Sequence, residues 1–169
     1  MKAYKFTGKT DWIDGHVVHQ ICALRDIHIR NVGRYGMNLD IEAGSIGGWI
    51  ESEKNLSHDG NCWVGGNAIV YENAFVNQGA YVSGFARGRD EAVVEGNAWV
   101  SGRAYIRGRS LVTENASVNE NAKITSEGLL VLISLIRFNL SFNSSQLLLC
   151  SLEGTIPPYS NISTDNISP

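Results

Sequence analysis

A chain of 169 residues has room for one ordinary domain, or for a small domain joined to an elongated one, and excludes a large two-lobed enzyme. Hydrophobic residues make up 43%, charged residues 18%, and the net charge is −3, which describes a globular chain of low charge and gives no reason to expect nucleic acid as a partner. The three cysteines, Cys22, Cys62 and Cys150, are odd in number, lie far apart and form no CxxC pair, so a disulfide framework and a cysteine-rich zinc site are excluded and a reducing compartment is expected.

Residues 1–60 read as a small β-rich N-terminal cap. The opening MKAYKFTGKTDWIDG carries charge and turn residues where an export signal needs a continuous apolar core, so a cytoplasmic protein is expected. The run AYKF, the turn pair Asp14-Gly15 and then HVVHQICALRDI predict a hairpin. His16, His19 and Cys22 would share a face only on a helix. Strand alternation puts Val17, His19 and Ile21 on one side and Val18, Gln20 and Cys22 on the other, so no metal site is expected.

Residues 61–126 repeat with a period of six. Val64, Val70, Val76, Val82, Gly88, Val94, Val100, Ile106, Val112, Val118 and Ile124 stand six apart, and Gly88 is the one position that is not aliphatic. Two residues before each stands a small one: Cys62, Ala68, Ala74, Ala80, Ala86, Ala92, Ala98, Ala104, Ser110, Ala116 and Ala122. A helix turns every 3.6 residues, so a six-residue step never gathers on one helical face. In a short strand the small and the aliphatic residue both point inward, and the residue between them points out. Each hexapeptide is therefore one short strand and one turn. Asn61, Asn67, Asn73, Asn97, Asn115 and Asn121, with Gly66, Gly84, Gly96, Gly102 and Gly108, supply the residues that tolerate left-handed backbone at corners.

The lines GNAWVSGRAYIRG and TENASVNENAKI resemble the hexapeptide-repeat, left-handed parallel β-helix family, in which three units make one triangular coil. The resemblance implies an all-β solenoid of three to four coils or more. It also implies inward columns of Val64, Val82, Val100 and Val118, of Val76, Val94 and Val112, and of Val70, Gly88, Ile106 and Ile124. Gly88 removes one core side chain, and a local bulge is expected there. More narrowly, GGWIESEKNLSHDGNCWV followed by the repeats resembles the YdcK-like hexapeptide proteins of enterobacteria and phages, a group largely without assigned activity.

Residues 127–169 lose the repeat signature. The apolar run Leu129–Ile136 is too short to span a membrane, and the segment is expected to form a C-terminal cap or degenerate rungs followed by a tail. Leu130, Ile136, Phe142 and Leu148 continue the six-residue phase.

Hexapeptide β-helices are similar to acyltransferases in which a histidine near a subunit interface deprotonates the acceptor. None of His16, His19, His28 and His58 lies in the repeats, so no catalytic residue is carried over and His58, just before the first rung, is only a weak candidate. No cofactor is expected, and Cys62 falls in the small inward column as a packing thiol. The outward columns are more informative. Trp63, Tyr81, Trp99 and Ser117 are expected to stack on one side, Phe75, Val93 and Leu111 on a second, and Ile69, Arg87, Tyr105 and Lys123 on the third. Such aromatic and aliphatic faces predict an interface with a protein partner or within a homo-oligomer, a dimer or trimer. Arg87, Arg89, Arg103, Arg107 and Arg109 make a basic patch, with Asp90, Glu91 and Glu95 near enough to neutralise much of it.

Overall fold

The computed structural model describes residues 1–133, and side chains through residue 126. The described chain is β throughout except for one 3₁₀ turn at Glu53–Asn55: an antiparallel N-terminal region followed by a β-solenoid of about four turns.

The N-terminal region contains two hairpins. β1 (Tyr4–Ile13) and β2 (His16–Ala23) pair antiparallel around Asp14 and Gly15, both at positive φ (49° and 91°) as a two-residue turn requires. β3 (Ile27–Val32) and β4 (Met37–Ile41) form the second hairpin. β5 (Ile46–Ile50) then pairs antiparallel with β2 on one side and parallel with the first rungs on the other. The parallel stack thus starts inside residues 1–60, with Ile50 over Val70 and Leu56 bridging to Val76.

The rungs are two-residue strands: β6 (Trp63–Val64), β7 (Ile69–Val70), β8 (Phe75–Val76), β9 (Tyr81–Val82), β10 (Arg87–Gly88), β11 (Val93–Val94) and β12 (Trp99–Val100). Next come β13 (Tyr105–Val112), which runs through a corner, β14 (Ser117–Val118) and β15 (Lys123–Ile133). Pairs such as Trp63↔Tyr81, Phe75↔Val93 and Arg87↔Tyr105 fix the coil at eighteen residues. Parallel stacking satisfies the backbone between coils, as in Trp63 N–H to the Ala80 carbonyl (3.0 Å) and Gly65 N–H to Val82 (2.8 Å).

Inside, the aliphatic and alanine columns are buried together; Val64, Val70, Val76, Val82, Val94, Val100, Ile106, Val112, Val118 and Ile124 are all at most 4% exposed. At the small column the alanine N–H closes each turn onto the carbonyl three residues earlier, as in Ala74 to Tyr71 and Ala104 to Ser101 (both 3.2 Å). Where Ser110 replaces alanine, its hydroxyl donates to the Arg107 carbonyl (2.7 Å).

Three expectations change. Gly88 makes no bulge: it pairs in register with Val70 and Ile106, and the missing side chain leaves a cavity of about 10 Å³ among Val70, Val82, Val94 and Ile106. The left-handed corner residue is the one before each asparagine. Glu72, Gln78, Asp90, Glu114 and Glu120 take φ of 55–59° in line with Gly66, Gly84, Gly96, Gly102 and Gly108, whereas Asn67, Asn73, Asn97, Asn115 and Asn121 do not. After Ser126 the six-residue phase slips by three, since Leu132 and Ile133, rather than Leu129 and Leu130, pair with Leu111 and Val112. Ile136, Phe142, Leu148 and the rest of the tail lie outside the described residues.

Candidate functional site

The triangular section gives three outer sides, and the N-terminal hairpins treat them differently. The first side carries the column Trp63, Tyr81, Trp99 and Ser117, stacked as adjacent pairs. It is not free: the β3–β4 hairpin lies along it. Ile27, Ile29 and Val32 are fully buried in one cluster with Trp63, and Met37, Leu39 and Ile41 pack on that cluster beside Tyr81 and Trp99. Gly33 reaches the column itself, where a Cβ would stand 3.1 Å from that of Trp99, and its N–H donates to the Asn97 carbonyl (2.7 Å) while that of Arg34 donates to Ser117 Oγ (2.9 Å). Trp63 is 2% exposed, and burial raises the Tyr81 hydroxyl above its ordinary range. These rings hold the chain's own hairpin, a role the alternation of Ile27 and Ile29 against His28 and Arg30 could have signalled.

The second side carries Trp49, Ile69, Arg87, Tyr105 and Lys123. Its first two rungs are covered by the tip of the β1–β2 hairpin, where Val18 packs on Ile69, Tyr71 and Trp49. The third side carries Phe75, Val93 and Leu111, all half-buried, and among the described residues neither hairpin lies on it.

The corner between the second and third sides gathers charge. Glu51 Oε2 accepts the Glu72 N–H (2.6 Å), Glu72 Oε2 the Asp90 N–H (2.8 Å), and Asp90 Oδ2 the Gly108 N–H (2.8 Å), so each acidic side chain caps the next coil's corner. That bond offsets the cost of a left-handed non-glycine residue. The basic patch is interleaved with these acids: Arg87 lies 3.4 Å from Asp14, Arg89 3.1 Å from Asp90, and Arg109 3.6 Å from Glu91. Arg89 also bonds the Tyr71 oxygen. Arg107 neighbours this corner, and Arg103 stands exposed at the corner between the first and second sides. The Arg87, Arg89 and Arg109 charges are thus partnered, which weakens this face as a phosphate-binding surface.

His58 is held through Nδ1 and its ring face, with Nε2 buried 3.7 Å from the Glu53 carboxylate and without a hydrogen-bond partner among the described residues. Its ring stacks on Tyr4 (4.2 Å between centroids), and Nδ1 accepts the Ala3 N–H (3.2 Å), tying the first strand to the solenoid entrance. His16 stands between two carboxylates, 3.1 Å from Glu51 and 3.4 Å from Glu72, so neither ring nitrogen faces an open acceptor site. His19 lies at a tilt against Phe6 (4.8 Å between centroids) and His28 bonds Asp40 at the surface. Among the described residues no cluster of three or more His, Cys, Asp or Glu side chains has the arrangement to hold a metal ion. Burial pushes the Cys62 thiol up to about 12, which leaves it protonated and unreactive at neutral pH. No helix of the described residues is long and apolar enough to cross a membrane.

No family model matches the chain, and no curated protein matches it.

Proposed function

We propose that this protein is a rigid, non-enzymatic interaction or assembly module, a left-handed β-helix of the hexapeptide kind, working in the cytoplasm and in the phage-associated setting that its resemblance implies. The observation that carries the reading is the third side. Phe75, Val93 and Leu111 form an apolar column on a stiff surface, left open by the two hairpins that occupy the other sides. A flat apolar strip on a rigid scaffold binds by shape and by release of water, with little ordering cost. The occupant is a second copy, giving a dimer or trimer, or another protein; no cofactor enters this reading. Acyl transfer at a subunit interface is the weaker reading, because His58 is tied to Ala3 and Tyr4.

Light scattering coupled to size exclusion, across a concentration series, tests this. The expected result is a defined dimer or trimer that Val93→Lys converts to monomer with an unchanged far-ultraviolet spectrum. A monomer at all concentrations removes self-association and leaves a different protein as the occupant. An oligomer unaffected by Val93→Lys removes the third side.

A further inference from the structure

The β1–β2 hairpin has a base and a tip that are held in different ways. Its base is built into the fold: β2 pairs with β5 at His19↔Ile50, Gln20↔Trp49 and Cys22↔Ile46, and Tyr4 and Ile21 lie in the main core. Beyond His19 that pairing has ended, so residues 11–18 pair only with each other, and Thr10 pairs with His19. β1 is irregular where tip meets base, and there β2 leaves β5. β1 bulges between Phe6 and Thr10 around Gly8 (φ 92°), in open space, and the β2–β5 register slips between Gln20 and Cys22. The slip lies on the base side of His19, so the bending line runs from the β1 bulge to the point where β2 leaves β5.

The tip touches the solenoid through a small apolar cluster separate from the main core, with Val18 and Ile13 against Ile69, Tyr71 and Trp49. Polar contacts surround it. Asp14 Oδ2 accepts from the Tyr71 hydroxyl (2.9 Å) and lies 3.4 Å from the Arg87 guanidinium. His16 sits between Glu51 and Glu72, each of which holds one oxygen on a solenoid N–H and directs the other to the histidine.

We propose that residues 10–18 are a hinged flap, bending at Gly8 and His19 and latched by Asp14 and His16, whose opening uncovers an apolar and aromatic surface formed by Trp49, Ile69 and Tyr71. The latch groups are between a quarter and a half exposed, so each contact is weak and screened by salt. A small cluster outside the main core opens at lower free energy than the core itself. The flap acts on the second side and is independent of what occupies the third.

Thiol labelling read by peptide mass mapping tests it. Val18→Cys places a thiol beneath the flap, and the native Cys62 reports opening of the core. The expected result is labelling of Val18→Cys at least about tenfold faster than Cys62, accelerated about two- to fivefold by Asp14→Asn or His16→Gln with Cys62 unchanged. Ile69→Cys, on the opposite wall of the same cluster, serves if Val18→Cys fails to fold. Equal rates for the flap thiol and Cys62 overturn the proposal, as does a flap rate unmoved by both latch variants.

Discussion

Replacing Gly88 by alanine should stabilise this protein. Gly88 stands between Val70 and Ile106 in an inward column whose other positions are all Ile or Val. An added Cβ would meet the Ala74 Cβ at 3.8 Å and the Val70 methyls at 3.9 and 4.0 Å, which is ordinary van der Waals contact, and Gly88 is not among the residues of positive φ. One buried methyl contributes about 0.8 kcal/mol. Restricting the unfolded chain adds roughly 0.4–1 kcal/mol. The expected gain is therefore about 1–2 kcal/mol, or a rise in Tm of about 2–8 °C for a chain of this length. Gly88→Val should gain less, because a cavity of about 10 Å³ cannot take two more methyls without displacing Val70 or Ile106. Thermal unfolding followed by circular dichroism, with urea midpoints alongside, measures both variants. A lower Tm for Gly88→Ala would refute the placement of this residue beside an under-filled part of the core.

Asn55 is fully buried, donates to the Glu72 and Ala74 carbonyls (3.0 and 2.9 Å) and accepts the Ser52 N–H (2.8 Å), so Asn55→Ala should cost roughly 2–3 kcal/mol in urea unfolding. Two corner substitutions should have opposite signs. Gly102→Ala places a Cβ 2.5 Å from the Glu120 backbone nitrogen at a φ of 66° and should destabilise by at least about 2 kcal/mol, whereas Glu114→Gly relieves a φ of 57° and should stabilise by up to about 1 kcal/mol. Burial pushes the Glu51 carboxyl up, but hydrogen bonds from His16 and the Glu72 N–H outweigh it and hold the group below the usual carboxylate range. Its contribution is therefore present above that range and lost as pH falls through the folded-state value. Stability measured from pH 7 down to pH 3 should fall less for Glu51→Gln than for the native chain, and equal losses would count against the bond to His16.

The solenoid was legible because its signal is local. One aliphatic every six residues, with a small residue two before it, fits a short strand and a turn and fits no helix, and Trp63↔Tyr81 and Phe75↔Val93 pair at the eighteen-residue spacing so derived. The Asp14-Gly15 hairpin was legible for the same reason. Glu72 and Glu120 at left-handed corners were not, since local preference there favours Gly, Asn and Asp over Glu. For Glu72 and Asp90 the compensation is a hydrogen bond to a backbone eighteen residues away. The fate of the aromatic column was hidden by a longer relation: Trp99 and Ser117 meet Gly33 and Arg34. A stacked row of rings looks the same in sequence whether solvent, a partner or an earlier part of the same chain lies over it. The slip after Ser126 was masked by abundance, because in GLLVLISLI almost any phase puts an apolar residue inside.

The β3–β4 hairpin also bears on how the molecule assembles. Hydrogen bonds between successive coils link residues about eighteen apart, and a stack built only of such links melts as a one-dimensional array that frays from its end. The hairpin breaks that locality. Arg25 bonds the Gly60 carbonyl at the entrance, and Arg34 bonds Ser117 eighty-three residues away, so one early segment spans the first side from Trp63 to Ser117. Its apolar face cannot be fully buried until the coil carrying Ser117 exists, which makes that late rung a condition for docking an early hairpin. The staple should convert a fraying array into a single cooperative transition, at the expense of slower folding through long-range closure.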